Sequence, residues 1–238
     1  MAQIKTIQEC ASMIKEGSSV MVGGFLGVGA PLKMIDQIVE NNTKDLTLIS
    51  VVGSYPGGGF DIGKLTAQKQ IKKFIGAHIG TDPALVSGYN TGEIEVEFNP
   101  MGTFIERIRA AGAGLGAVVT PTGLGTEVEA NAKRQNFYGR DYLVFPPLKA
   151  DVAIVKAKKA DQYGNLFYEG TSINTNTTMA TAGDIVIAEV DEIVEVGALA
   201  PNEIGTPGIF VDYIVIGNST EERKDIFGAI WEKGKKLK

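Results

Sequence analysis

An α/β fold, built on a mainly parallel open sheet with helices on both faces, is predicted by three features of the 238-residue sequence. Short apolar runs suited to strands buried on both sides alternate with segments whose apolar residues recur at helical spacing. Glycine clusters follow several of these runs, where loops after parallel strands line the ligand crevice of open α/β sheets. No linker-like stretch divides the chain, so residues 1–238 are expected to form one domain with a large core.

The elements follow in order. A first helix is expected over residues 7–15, where Ile7, Ala11 and Ile14 share a stripe and Cys10 reads as a buried structural thiol. Val20, Met21 and Val22 suit a doubly covered strand, and Pro31 suits the first position of a helix over 31–41 that carries Leu32, Ile35, Ile38 and Val39 inward. Asn41-Asn42 can end it. Between strand and helix lies Gly23-Gly24-Phe25-Leu26-Gly27-Val28-Gly29. Its glycines can take positive φ and admit a ligand to the main chain, while the helix start offers unpaired N–H groups to an anion. Close strand-to-helix packing is the competing use of the same glycines. A P-loop is excluded because Ala30-Pro31 stands where Lys-Ser/Thr is needed, and a dinucleotide fingerprint is disfavoured because Leu32 replaces the third glycine.

Residues 46–52 read as a second buried strand leaving into a glycine-rich loop over 53–60, and 72–79 as a third, with His78 at its end in a structural role or, as the alternative its strand-to-turn position leaves open, as a general base. Around a strand at 94–98, Glu93, Glu95 and Glu97 alternate onto one solvated face. Residues 102–111 predict a helix with Phe104, Ile105 and Ile108 inward; Glu106, Arg107 and Arg109 on it read as surface ion pairs or as ligand-facing groups. A third glycine-rich segment spans 111–126 and includes a short strand. Further strands are expected at 152–156, 166–168, 185–188 and 213–216, then a helix over 221–232 holding Ile226, Ile230 and Trp231. The polar run over 172–178 either contacts a ligand or forms a turn rich in side-chain-to-backbone hydrogen bonds.

Composition narrows the chemistry. With 23 basic and 28 acidic residues the net charge is −5, against the basic field of a nucleic-acid binder. The basic cluster Lys233, Lys235, Lys236 and Lys238 reads as a solvated tail. One cysteine and one histidine preclude an intrachain disulfide and a multi-cysteine or multi-histidine metal site, and they leave the usual nucleophilic triads excluded or unsupported. Neither a secretory leader nor a membrane-length apolar run is evident, so a cytoplasmic protein is expected. Glycine accounts for 30 of the 238 residues, nearly twice the usual share of about 7%, so contact between main chain and ligand is implied.

Ordered motifs point further. They are Val22-Gly23-Gly24-Phe25 through Gly29-Ala30-Pro31, Ala77-His78-Ile79-Gly80, Pro100-Met101-Gly102-Thr103, and Glu106-Arg107-Ile108-Arg109-Ala110. Thr120-Pro121-Thr122-Gly123-Leu124-Gly125-Thr126, Ala150-Asp151-Val152-Ala153, Asp161-Gln162-Tyr163-Gly164-Asn165 and Thr206-Pro207-Gly208 complete the series. From about Ile7 to Ile216 the chain resembles the α subunit of family I CoA-transferases, close to the short-chain acetate or butyrate:acetoacetate type. The resemblance implies the α-subunit fold of that family and coenzyme A as co-substrate, with no tightly bound cofactor and no metal. It places the catalytic glutamate on a separate β subunit, in an α2β2 or larger assembly acting on a short-chain acyl-CoA and a carboxylate, and it leaves this chain without a catalytic residue of its own. It also implies that Gly23, Gly24, Phe25, Leu26, Gly27, Val28 and Gly29 form the CoA-binding loop.

Departures from the family pattern mark candidate pocket residues. Val51 and Val52 stand where many members carry an amide pair, Met101 replaces a glutamine, and Ile173-Asn174-Thr175-Asn176 replaces a basic residue, Asn, Phe, Asn. If Val51, Val52, Met101, Asn174 and Asn176 line the acyl pocket, a less polar acyl group is favoured. A non-catalytic CoA- or acyl-CoA-binding regulatory subunit on the same scaffold is the alternative reading.

Overall fold

Burial on both sides explains why the strands read as unbroken apolar runs. The computed structural model describes residues 1–234. In chain order its elements are β1 (Gln3–Ile4), α1 (Ile7–Ala11), β2 (Ser19–Val22), α2 (Leu32–Glu40), β3 (Leu46–Ile49), α3 (Gly63–Ala67) and β4 (Ile71–Gly76). These are followed by α4 (Pro83–Thr91), β5 (Glu95–Phe98), α5 (Met101–Gly112), β6 (Val118–Thr120), β7 (Lys133–Phe137) and β8 (Arg140–Phe145). The chain continues through β9 (Ala150–Asp161), β10 (Leu166–Phe167), α6 (Asn176–Met179), β11 (Gly183–Val194), β12 (Tyr213–Ile216) and α7 (Thr220–Lys233).

The main sheet runs β1-β12-β11-β9-β2-β3-β4-β5, all parallel, with β10 antiparallel to β9 at the side. Neighbouring residues of β2 supply opposite cores. Val20 and Val22 join Ile35 and Ile38 of α2, Leu65 of α3 and Leu85 of α4 on one face. Met21 joins Phe104 and Ile108 of α5 and Met179 of α6 on the other. Helices therefore cover both faces, as the apolar runs predict. A separate antiparallel sheet, β6-β8-β7, was not foreseen from the sequence; β7 is exposed throughout, so it lacks the apolar alternation by which a strand is recognised.

Strand order places the site. From β2 the chain builds outward through β3, β4 and β5, then returns to add β9, β11 and β12 on the opposite side of β2. The order thus reverses between β2 and β9, and ligands of open α/β sheets bind beyond the strand ends at such a point. The first glycine loop leaves β2 there.

Several expectations are corrected. The first helix stops at Ala11 with Ser12 as its cap; Cys10 inside it is fully buried, and burial pushes its thiol up to about 11. Pro31 caps α2 from outside instead of occupying its first turn, and Asn42 turns the chain at φ +53 just after the helix ends. Val51 and Val52 lie beyond β3, not within it, with Val52 bridged to His78. Strands β9 and β11 have 12 residues each, far longer than expected. Lys235, Lys236 and Lys238 lie outside the described residues. No helix among the described residues is long and apolar enough to cross a membrane.

The solvated carboxylate face is corrected at one position. Glu97 is partly buried and accepts from Arg107 at 2.7 Å, while Arg107 also donates to Asn99 Oδ1 at 2.6 Å and to the Pro146 carbonyl at 2.9 Å. Arg109 instead makes an exposed pair with Glu106. Arg107→Ala, which strands buried partners, is expected to cost about 3 kcal/mol, and Arg109→Ala under about 0.5 kcal/mol. Denaturant unfolding of the two variants checks the contrast.

Candidate functional site

The loop after β2 has nearly no side chains of its own at four positions, so its shape depends on what holds its backbone. Phe25 and Val28 exchange N–H···O bonds of 2.9 and 3.0 Å, with Leu26 at φ +49 and Gly27 at φ +82 between them. Positive φ at both central residues makes a hairpin of the type I′ kind, and Leu26 is the strained position because it carries a Cβ. Gly24 and Gly29 also have positive φ, +114 and +70. Gly23 does not; its requirement is space, since a Cβ there would stand 1.9 Å from Asn176 Oδ1.

A second segment clamps this loop. Asn174 Nδ2 donates to the Val28 carbonyl at 2.9 Å, and Thr175 Oγ1 accepts from Gly24 N–H at 3.1 Å. Asn176, fully buried, donates from Nδ2 to the carbonyls of Gly29 at 3.0 Å and Ser172 at 2.8 Å. Its Oδ1 accepts from the Lys156 N–H of β9 at 2.9 Å. The polar run is therefore a turn of side-chain-to-backbone bonds, and the amides of Asn174 and Asn176 are committed to the loop. By contrast, the N–H groups of Leu26, Gly27 and Gly29 donate to no protein group among the described residues. Phe25 and Val28 are exposed at the tip.

The α2 N-terminus is not an open anion seat. Met34 N–H in its first turn donates to Glu189 Oε2 at 2.9 Å, an internal carboxyl that complements the positive helix end. Glu189 is fully buried, its Oε1 has no partner, and burial pushes its pKa up. Beneath the loop lies a second hidden carboxyl. Asp61, at φ +45, borders a narrow crevice with Gly23, Gly24, Leu26, Gly27 and Val52. It accepts from the N–H groups of Tyr55 and Gly63, each at 3.3 Å. Burial, reinforced by the nearby Asp82 charge, pushes it up to about 6. Neither Asp61 nor Glu189 was identified from sequence; an acidic residue between a glycine loop and a helix was the available signal for Asp61, and Glu189 gives none inside its apolar strand.

The five candidate pocket residues do not form one wall. Val52 borders the crevice, whereas Val51 is core. Asn174 and Asn176 hold the loop. Met101 is 48% exposed at the start of α5, in an open groove with Thr103, Ile105 and Val119.

The chain is similar to known proteins in sequence and in fold. The family described as Coenzyme A transferase matches residues 4–217. The chain is 44% identical over 214 residues to an acetoacetyl-CoA:acetate/butyrate CoA transferase alpha subunit from Clostridium acetobutylicum, covering 90% of this chain and 97% of that one. It is 38% identical over 219 residues to an acetate CoA-transferase subunit alpha from Escherichia coli, covering 92% and 99%. Among solved structures, an acyl-CoA transferase from E. coli O157:H7, crystallised as a thioester complex with CoA, superposes with a TM-score of 0.82 at 22% identity. That match covers 90% of this chain but only 47% of the other, so this chain spans about half of that protein. Glutaconate coenzyme A-transferase from Acidaminococcus fermentans gives a TM-score of 0.78 at 18% identity, covering 90% and 75%.

Two outcomes follow from the clamp and the crevice. Asn176→Ala removes three hydrogen bonds and is expected to cost about 3 kcal/mol. Gly23→Ala should cost about 1–3 kcal/mol alone, and the double variant should fall short of the sum because the shortened side chain of Asn176→Ala leaves room for the new methyl; unfolding midpoints check this. Folded Asp61 keeps its proton to about 6 whereas its ordinary value is 3.8, so stability is lost as pH rises through that window, by about 3 kcal/mol above it. Asp61→Asn should therefore gain stability relative to the parent at pH 7.5 and little at pH 3.5, read by denaturant unfolding at each pH.

Proposed function

The chain belongs to the coenzyme A transferase family, and from that premise we propose that it is the α subunit of an enzyme moving coenzyme A between a short-chain acyl-CoA and a carboxylate of the acetate, butyrate or acetoacetate type. The carrying observation is the loop over 23–29, clamped by Asn174, Thr175 and Asn176 at the point where strand order reverses, with the N–H groups of Leu26, Gly27 and Gly29 given no protein partner among the described residues. In this reading the loop receives coenzyme A at its neutral pantetheine arm. An amide carbonyl of the arm accepts from Leu26 N–H at the half-buried turn, and Phe25 and Val28 cover its methylenes. The helix behind the loop supplies less to a phosphate than an open N-terminus would, because Glu189 already takes Met34 N–H.

A separate β subunit completes the site in this proposal and supplies the glutamate that carries acyl and CoA groups in turn. That division accounts for a chain whose loops hold no nucleophile–base pair. Val51 and Val52 act on acyl preference indirectly, through the floor of the crevice, while Asn174 and Asn176 set loop shape. Met101 is the exposed member of the group and the direct determinant.

The test is co-expression with a β chain and a CoA-transfer assay across acetate, butyrate and acetoacetate, with this chain alone as control. Transfer by the complex only is expected; CoA binding without transfer in the complex would favour the regulatory-subunit reading instead. Met101→Gln should raise the rate with acetoacetate relative to butyrate several-fold, since a side-chain amide can pair with the 3-oxo group. Unchanged relative rates would remove Met101 from the acyl pocket.

A further inference from the structure

Helix α7 packs on the fold without one fully buried residue. Thr220, Arg223, Lys224, Phe227 and Trp231 share one stripe of it, and that stripe lines a cavity of about 300 Å³. On the opposite wall Lys156 Nζ donates to Asp191 Oδ1, and Lys158 Nζ lies 3.2 Å from Asp191 Oδ2 and 3.4 Å from Glu169. Those charges are matched. Neither Arg223 nor Lys224 makes a salt bridge among the described residues; Arg223 Nη1 donates to the Ala30 carbonyl at 3.2 Å, its guanidinium lies 5.6 Å from the Phe227 ring centroid, and the carboxylates of Glu189 and Asp191 act on it only from beyond contact distance.

A half-buried guanidinium with no carboxylate in direct contact keeps donors of its planar fork free, and that fork suits phosphate oxygens. Beside it, Phe227 and Trp231 pack at 5.8 Å between ring centroids, with Trp231 39% exposed to the cavity side and solvent. A simple anion has no use for two aromatic rings, and an acyl chain has none for two unpaired cations. A flat ring joined to phosphate uses both features.

We propose that this cavity binds a nucleotide, its phosphates on Arg223 and Lys224 and its base against Phe227 and Trp231. The cavity adjoins the glycine loop: Arg223 holds the carbonyl of Ala30, and Ser172 on the cavity wall shares its carbonyl with Asn176. The nucleotide is then either free or the nucleotide end of coenzyme A, the second source resting on the loop reading above.

Trp231 is the only tryptophan of the chain, so its emission reports occupancy. The full chain is titrated with ADP, coenzyme A and pantetheine, with calorimetry in parallel. A saturable emission change with ADP is expected, weakened at least tenfold in Arg223→Gln, partly restored in Arg223→Lys, and weakened several-fold in Lys224→Gln. Displacement of ADP by coenzyme A assigns the site to the nucleotide end of coenzyme A, and its absence assigns it to a free nucleotide; both uphold the site. No saturable response to ADP, or ADP affinity unchanged in Lys224→Gln and in whichever Arg223 variant folds, overturns it. Failure of pantetheine to bind while ADP binds would overturn the loop reading alone.

Discussion

The rest of the site depends on one constraint: a loop with four glycines has only a few turn bonds of its own, and its remaining carbonyls must be held by another segment. Asn176 meets that demand, tying Gly29, Ser172 and the middle of β9 through a single buried amide. A buried amide with all its groups matched is a rigid fixture, whereas one left unmatched would cost more than an apolar side chain in its place. Gly23 is glycine because that amide stands where its Cβ would go.

Charge is distributed around the clamp with the same economy of space. Glu189 answers the α2 N-terminus from below by accepting from Met34 N–H, so an internal carboxyl already offsets part of the helix end's positive field. Lys156, buried with its side-chain nitrogen on Asp191, is pulled below its ordinary value by burial, a shift that the Asp191 carboxylate opposes. The unmatched cations Arg223 and Lys224 lie one step outward, on α7. Neutral and anionic parts of one ligand would thus meet different surfaces, joined at Ala30.

Family membership and geometry bear on different questions. The 38–44% identity to transferase alpha subunits concerns the whole chain, while the clamp concerns how one loop is held. Val51 and Val52 illustrate the difference. As substitutions in a pattern they suggest an altered pocket, but in the fold both belong to the core that holds Met21 and Phe104, and only Val52, bridged to His78, also borders the crevice under the loop.

The sheet, its parallel sense and the loop at its heart were legible in the residues alone, because doubly buried strands, helical spacing and glycine clusters are local signals. That no intrachain disulfide can form was equally legible from the single cysteine. Folding in three dimensions was needed to show that Asn174 and Asn176 belong to the loop and not to open pocket wall, that Glu97 and Arg107 are buried partners, and that Asp61 and Glu189 are hidden carboxyls. Each of those facts is a pairing or a burial set by other elements, with Met34 and Glu189 as much as 155 residues apart. A residue's type sets what it can bond, but its partner and its burial are fixed by the packing of elements that local spacing does not relate.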